Sequence, residues 1–346
     1  MIQSLVRKHL RNFEAYSSAR SLYKQGIFMD ANENSLGSVV SSSCSSELNN
    51  YPDPKSENLR KALEQFLNIS EENIFTGSGS DEIIDLLIRL FVEQDEEIII
   101  IEPTYGMYKV SAVVAGVKVK SLLLTPEFQI DTPKLLSEVS EKTKIIFLCS
   151  PNNPTGNIIP REEVETICKG FTGIVVVDEA YIEFSSEQSL VDMVPKIENL
   201  VVLRTFSKAW GLAGIRVGYA IGQGEIVQYL DKIKLPYNLN RISSNLAIEA
   251  LNNEKKMLEF KTEILAEKER LERDLTELGF KIFPSEANFL LVTYPNASGI
   301  AKKLATEYGI IIRDFGSKPL LTDCVRISIG TPEQNTLLIT SLKKIV

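Results

Sequence analysis

Four short runs govern what this chain can fold into: EEIIII at 96–101, KIIFLC at 144–149, GIVVVD at 173–178 and LVVLRT at 200–205. Each is apolar at consecutive positions rather than alternate ones, so both faces of the strand it forms must be covered. Amphipathic segments accompany them: 56–67 carries Leu59, Leu63, Phe66 and Leu67 on one face, and 81–91 carries Ile84, Leu87, Ile88 and Phe91. Strands buried on both faces and separated by helices predict an α/β domain with a mostly parallel sheet.

The pattern changes near residue 240. Residues 241–278 are rich in Glu, Lys, Leu and Arg with neither Gly nor Pro, which predicts long helices. Short strands follow at about 288–293, 309–313 and 325–329, with a helix between them and another at the end. The reading is an arm over 1–28 lying against a small α+β domain at 240–346, with a large domain at 29–239 between them. The serine-rich stretch VVSSSCSSELNN at 39–50 reads as a loop.

Composition removes several function classes. Thirty-eight basic residues against 46 acidic ones leave −8, the wrong sign for a nucleic-acid footprint. About 28 residues before the large domain leave no room for a helix-turn-helix module, which argues against a DNA-binding regulator. The single histidine, His9, excludes a His-rich metal site and is the only residue a Ser-His-Asp triad could use. Cys44, Cys149, Cys168 and Cys324 form no CxxC pair and read as buried, reduced thiols. The N-terminal MIQSLVRKHLRNFEAY has no apolar signal core, and no run of about 18 apolar residues occurs, so no membrane span and a cytoplasmic location are expected.

The candidate chemistry sits where strands end. TGSGSDE at 76–82 follows a short strand and opens a helix. By itself it is equally an anion site, built from free N–H groups and the helix dipole, or a helix start with Ser80 as N-cap and Asp81 in the first turn. SPNNPTG follows one apolar run and supplies Asn153; GIVVVDEAY ends on Asp178, with Tyr181 three residues on; LVVLRTFSK ends on Ser207 and Lys208. Singly, each has an ordinary explanation as turn, cap or solvated loop. On three successive strands they converge where ligands sit in open α/β sheets, outside the carboxyl ends. A lysine in a polar cleft can form a Schiff base, an aspartate can pair with a ring nitrogen, and Arg216 can add a donor fork to a phosphate. Those are the protein groups that pyridoxal phosphate requires.

SPNNPTG, VVVDEAY and TFSKAWGLAGIRVGY, in that order, resemble the signature of the class I/II aminotransferases, with the aspartate-aminotransferase-like fold. YSSARS, DANENSLG, NNYPDP, PTYGMY, IIIRDFG and VRISIGT narrow the likeness to the histidinol-phosphate aminotransferase family, over about residues 16–331. The resemblance implies pyridoxal 5'-phosphate as cofactor, histidinol phosphate and glutamate/2-oxoglutarate as substrates, and a homodimer. It implies that Lys208 carries the cofactor and shuttles a proton, that Asp178 pairs with the ring nitrogen, and that Asn153 and Tyr181 bond the phenolic oxygen. Tyr105 would stack on the ring; Ser80, Asp81, Ser207 and Arg216 would hold the phosphate, supported by Thr205 and by Tyr51 from the neighbouring subunit. Arg326, helped by Arg313, Tyr16 and Asn32, would bind the substrate's anionic end. Aromatic-amino-acid aminotransferases and threonine-phosphate decarboxylase share the fold and stand as alternatives on these motifs.

Overall fold

The computed structural model describes residues 26–30, 32–37 and 51–346. Tyr16, Cys44, the loop expected at 39–50 and residues 1–25 of the expected arm lie outside the described residues.

In chain order the elements are β1 (Ile27–Phe28), α1 (Glu57–Leu67), β2 (Ile74–Gly77), α2 (Gly79–Phe91), β3 (Glu97–Glu102), α3 (Met107–Ala115), β4 (Lys118–Leu123), α4 (Thr132–Ser137), β5 (Thr143–Cys149), α5 (Arg161–Gly170), β6 (Ile174–Asp178), β7 (Leu200–Thr205) and β8 (Gly218–Ile221). They continue with α6 (Gly224–Ile233), α7 (Arg241–Asn252), α8 (Glu254–Glu277), β9 (Lys281–Ile282), β10 (Phe289–Thr293), α9 (Ala297–Glu307), β11 (Ile310–Ile311), β12 (Arg313–Asp314), β13 (Cys324–Ser328) and α10 (Pro332–Leu342).

Seven strands form one sheet in the order β2-β8-β7-β6-β5-β3-β4. The strands from β4 to β7 run parallel, and β8 is antiparallel to both of its neighbours. The consecutive apolar residues divide between two cores, because successive side chains point to opposite faces. Ile99, Ile146, Val175, Val177 and Val202 join the core that also takes Leu59 and Leu63 of α1 and Val164 and Ile167 of α5. Ile98, Ile100, Phe147, Val176 and Leu203 join the core shared with Ile84 and Leu87 of α2, Ala112 of α3 and Val227 of α6. The expected mostly parallel sheet between helices is thus present.

A second, antiparallel sheet has the order β12-β13-β10-β9, and β1 pairs separately with β11, Ile27 opposite Ile310. The helices expected over 241–278 are α7 and α8, divided at Asn253, whereas the strand expected at 309–313 is divided into β11 and β12. Ser80 is also not the N-cap of α2: the helix opens at Gly79 with Ser78 in the cap position, and Ser80 lies in its first turn. The cap thus lies two residues earlier than that reading places it; Gly79 takes a positive φ of 78°, which glycine allows, and the Ser78 N–H donates to the Glu82 carboxylate.

The two sheets meet through the segment before β10. Lys268 of α8, which is buried, donates to the carbonyls of Ser285 (2.6 Å) and Ala287 (3.4 Å). Glu286 accepts from the Ser185 hydroxyl and the Ser186 N–H at 3.0 and 2.7 Å. Phe289 then packs edge-on against Tyr181, ring centroids 5.2 Å apart. Among the described residues no helix is long and apolar enough to cross a membrane, and no cluster of His, Cys, Asp and Glu side chains could hold a metal ion.

Candidate active site

Register brings the carboxyl ends of three neighbouring strands level. Cys149 at the end of β5 lies opposite Asp178 at the end of β6, and Asp178 lies opposite Leu203 of β7. The chain leaving each strand turns into one cleft of about 180 Å³. Asn153, Asp178, Tyr181, Thr205, Ser207 and Lys208 line it, together with Ser80, Asp81, Tyr105 and Arg216. The structure therefore gathers ten of the expected residues around one space.

At the deep end, Asp178 is 2% exposed. Its Oδ1 accepts the Ala180 N–H at 3.1 Å and its Oδ2 accepts the Tyr108 hydroxyl at 2.8 Å. Burial pushes its pKa up to about 6, opposed by those two donors. Lys208 turns part of its surface to the cleft, yet the packing around its amine lowers its pKa to about 8. Burial is the main cause, Arg326 adds to it, and the carboxylates of Glu33 and Asp81 oppose it. The amine lies 5.5 Å from the centroid of the Tyr181 ring. Tyr181's hydroxyl accepts from the side-chain amides of Asn32 (3.1 Å) and Asn153 (3.4 Å), and burial holds its pKa above that of a free phenol.

At the mouth, α2 starts with no side-chain cap, so the backbone N–H groups of its first turn, including Ser80 and Asp81, face the cleft end. Two glycines let the backbone close around this point. A Cβ on Gly79 would stand 2.5 Å from the Arg216 guanidinium, and one on Gly218 would stand 2.4 Å from the Ser80 nitrogen. Arg216, itself in the left-handed region with φ 54°, reaches Asp81 at 3.3 Å and the Ser207 hydroxyl at 3.4 Å. Thr205 donates to the Ser207 hydroxyl at 3.0 Å and accepts the Ser207 N–H at 3.1 Å, which fixes the loop before Lys208. Tyr105 donates to Asp81 at 2.9 Å.

Arg326 and Asn32 stand behind the cleft lining rather than in it, joined to it through Asn153 and Tyr181. Arg326 of β13, 5% exposed, donates to the Asn153 side chain and to the Asp30 carbonyl, and its guanidinium lies over the rings of Phe289 and Phe315. Asn32 is tied to Ser328 through both its N–H and its amide oxygen, each at 2.8 Å. Arg313 pairs in register with Arg326, and its guanidinium sits 6.0 Å from the Phe315 ring centroid, away from the cleft lining. Tyr51 is also not gathered: it is 79% exposed and stacks on Tyr237 at 4.6 Å. Tyr16 lies outside the described residues.

Three participants were not singled out from the sequence. Glu33 and Cys149 line the cleft, and Tyr108 bonds Asp178 from beneath. Their signals lay within quoted motifs: Glu33 in DANENSLG and Tyr108 in PTYGMY. In sum the cleft offers donors for an anion at one end, a buried carboxylate for a cationic nitrogen at the other, and a lysine amine of lowered pKa.

Comparison with known proteins agrees with this geometry. The family model described as aminotransferase class I and II matches residues 29–342. The histidinol-phosphate aminotransferase of Cytophaga hutchinsonii is 43% identical, over 99% of this chain and 98% of that protein. That of Parabacteroides distasonis is 41% identical with the same coverage. The crystal structure of histidinol-phosphate aminotransferase from Sinorhizobium meliloti in complex with pyridoxal-5'-phosphate superposes with a TM-score of 0.89, at 26% identity and 99% coverage of both chains. The chain belongs to the class I and II aminotransferases, in the histidinol-phosphate aminotransferase branch of that family.

Proposed function

We propose that this protein transfers an amino group between histidinol phosphate and 2-oxoglutarate with pyridoxal 5'-phosphate as cofactor, in histidine biosynthesis. The observation that carries the reading is the convergence of Lys208, Asp178 and the uncapped start of α2 on one cleft. The donor set fits the cofactor: N–H groups, Ser207 and Arg216 suit a phosphate, and the buried Asp178 suits a protonated ring nitrogen. Lys208 would hold the cofactor covalently through Nζ, with Tyr105 against the ring and Asn153 and Tyr181 at its phenolic oxygen. When bound, the cofactor supplies a sink for the electron pair released at the substrate's α-carbon.

The chain's own groups do the remaining work. With a pKa of about 8, the Lys208 amine is in part neutral near neutral pH, so Nζ can accept a proton from the α-carbon and return it. Asp178 would hold a positive charge in place, and the packed strand ends keep bulk water from its carboxylate. Histidinol phosphate carries a phosphate and no α-carboxylate, whereas glutamate carries carboxylates and no phosphate, yet both must use one site. A guanidinium fork accepts either oxyanion, which suits Arg326, assisted by Arg313, Tyr16 and Asn32.

The same proposal makes the active unit a homodimer, with Tyr51 of each subunit at the other's phosphate site. Its exposure and that of Leu235, at 74%, fit a face that a second subunit covers. It divides the chain into an arm at 1–28, a large domain at 29–239 and a small domain at 240–346, and locates the enzyme in the cytoplasm.

The test is spectroscopic. Histidinol phosphate added without an oxo acid is expected to convert the bound pyridoxal form to the pyridoxamine form, and 2-oxoglutarate to reverse it. A spectrum that ignores histidinol phosphate and responds to phenylalanine or threonine phosphate instead would overturn the substrate while keeping the cofactor.

A further inference from the structure

Asp178 is held by two donors, and only one of them belongs to its own loop. The second, Tyr108, comes from α3, seventy positions away in sequence. Tyr108 has no exposed surface; its ring stacks on Phe147 of β5 at 4.8 Å with an interplanar angle of 11°, and meets Tyr105 edge-on at 5.6 Å. A ring clamped in this way holds its hydroxyl oxygen 2.8 Å from Oδ2, with the Cys149 thiol as the hydroxyl's other neighbour. The Ala180 N–H takes Oδ1. Each carboxylate oxygen thus keeps lone-pair capacity toward the cleft while its plane is fixed from below.

We infer that Tyr108 is a positioning residue that keeps Asp178 ionised, so that the proton shared between Asp178 and a bound ring nitrogen rests on the nitrogen. The inference rests on the proposed pairing of Asp178 with that nitrogen and deepens it. Its physical basis is a competition. Burial favours a neutral carboxylic acid beside a neutral pyridine over an ion pair. Donors to the carboxylate favour the ion pair, because they stabilise only the charged oxygen atoms. The groups around Asp178 are Tyr108 of α3, Cys149 of β5, Asp81 of α2 and Lys208 after β7. Burial holds the Tyr108 and Cys149 protons on their own atoms, so at working pH Tyr108 is a permanent donor. Asp81 disfavours the charge on Asp178 and Lys208 favours it. Removing the Tyr108 hydroxyl takes away a neutral-donor bond to a charged group, which changes the ratio of the two proton positions roughly tenfold.

The experiment uses the holoenzyme loaded with cofactor labelled with ¹⁵N in the ring, and reads the nitrogen resonance near neutral pH. In the unaltered protein it is expected at the protonated position. In Tyr108→Phe, which keeps the ring and its stack, it is expected to move toward the unprotonated position. A Tyr108→Phe resonance identical to that of the parent overturns the inference, since a merely structural role would leave the proton where it was. Asp178→Asn separates this from the underlying reading: a resonance unmoved by that change means that Asp178 is not the partner at all. If Tyr108→Phe does not fold, the infrared carboxyl region of the unaltered holoenzyme decides. The band lost in Asp178→Asn is expected to be that of an ionised carboxylate, and a protonated acid band there overturns the inference.

Discussion

The deep end of the cleft and its mouth hold charges in opposite ways. At the deep end Asp178, Tyr181, Asn153 and Arg326 are each less than a tenth exposed, and they bond to one another, to backbone, and to the equally buried Tyr108 and Asn32. At the mouth the Arg216 and Asp81 side chains are 48% and 36% exposed and their ion pair spans 3.3 Å. Low dielectric at the deep end amplifies each charge and raises the pKa values of Asp178 and Tyr181, whereas water at the mouth screens the pair. The difference separates the two ends: Asp178, which must carry a charge opposite a ring nitrogen, is sheltered, as is Arg326, whereas the Arg216–Asp81 pair at the phosphate end stays wet.

The predictions test that separation. The largest effect is expected for Lys208→Ala, which should abolish covalent attachment of the cofactor and lower turnover roughly 10⁴-fold or more. A fully active variant would end the reading. Asp178→Asn should slow proton abstraction in single turnovers by about 10²–10³-fold while the cofactor stays bound, because a preorganised charge is lost without its steric frame. Arg326→Ala should raise KM for histidinol phosphate and for glutamate together, by about 10–100-fold, the worth of a charge-assisted bond. A rise for only one of them would break the shared-site argument. At the mouth, Arg216→Lys should weaken cofactor binding by no more than about tenfold and leave single-turnover rates unchanged, since an ammonium keeps the charge and loses the fork. Should Arg216→Lys and Asp178→Asn slow the chemistry equally, the contrast between the two ends would be lost.

A smaller effect separates the deep pair from the mouth without any substrate. Lys208 has a folded pKa of about 8 against roughly 10.4 unfolded, so between those values the unfolded chain binds more protons and stability rises with pH. Asp178 has a folded pKa of about 6 against roughly 3.9 unfolded, so in that window the folded chain binds more protons and stability falls as pH rises. Thermal midpoints of the cofactor-free protein are expected to lose the alkaline rise in Lys208→Ala and the acid-side fall in Asp178→Asn, by a few degrees each.

What could be read from sequence follows from how local each cause is. β3, β5, β6 and β7 were legible because a strand covered on both faces must be apolar at every position. β4 was not: KVKSLL at the sheet edge has one covered neighbour and reads as a mixed segment. The cofactor residues were legible because Asp178, Ser207 and Lys208 stand directly at strand ends, where the fold itself aims them. Arg326 came only through the family likeness, since its link to Asn153 spans 173 residues. Tyr108 escaped because an aromatic residue inside a helix is nearly always core, and nothing in its neighbours discloses that its hydroxyl lands on a carboxylate. Arg313 shows the reverse case: it stands one strand from Arg326 in the small sheet, yet the register turns it beside Phe315.

The burial of Asp178 and Lys208 also bears on how long a copy of the protein survives. Between about pH 6 and 8 the cofactor-free chain holds both groups in environments that disfavour their charges. A ligand that binds only the folded state adds stability by mass action. Chains that have not acquired cofactor therefore populate opened forms more often, and cellular proteases clear opened forms. The cofactor-loaded chain is therefore expected to outlast the cofactor-free chain under proteolysis.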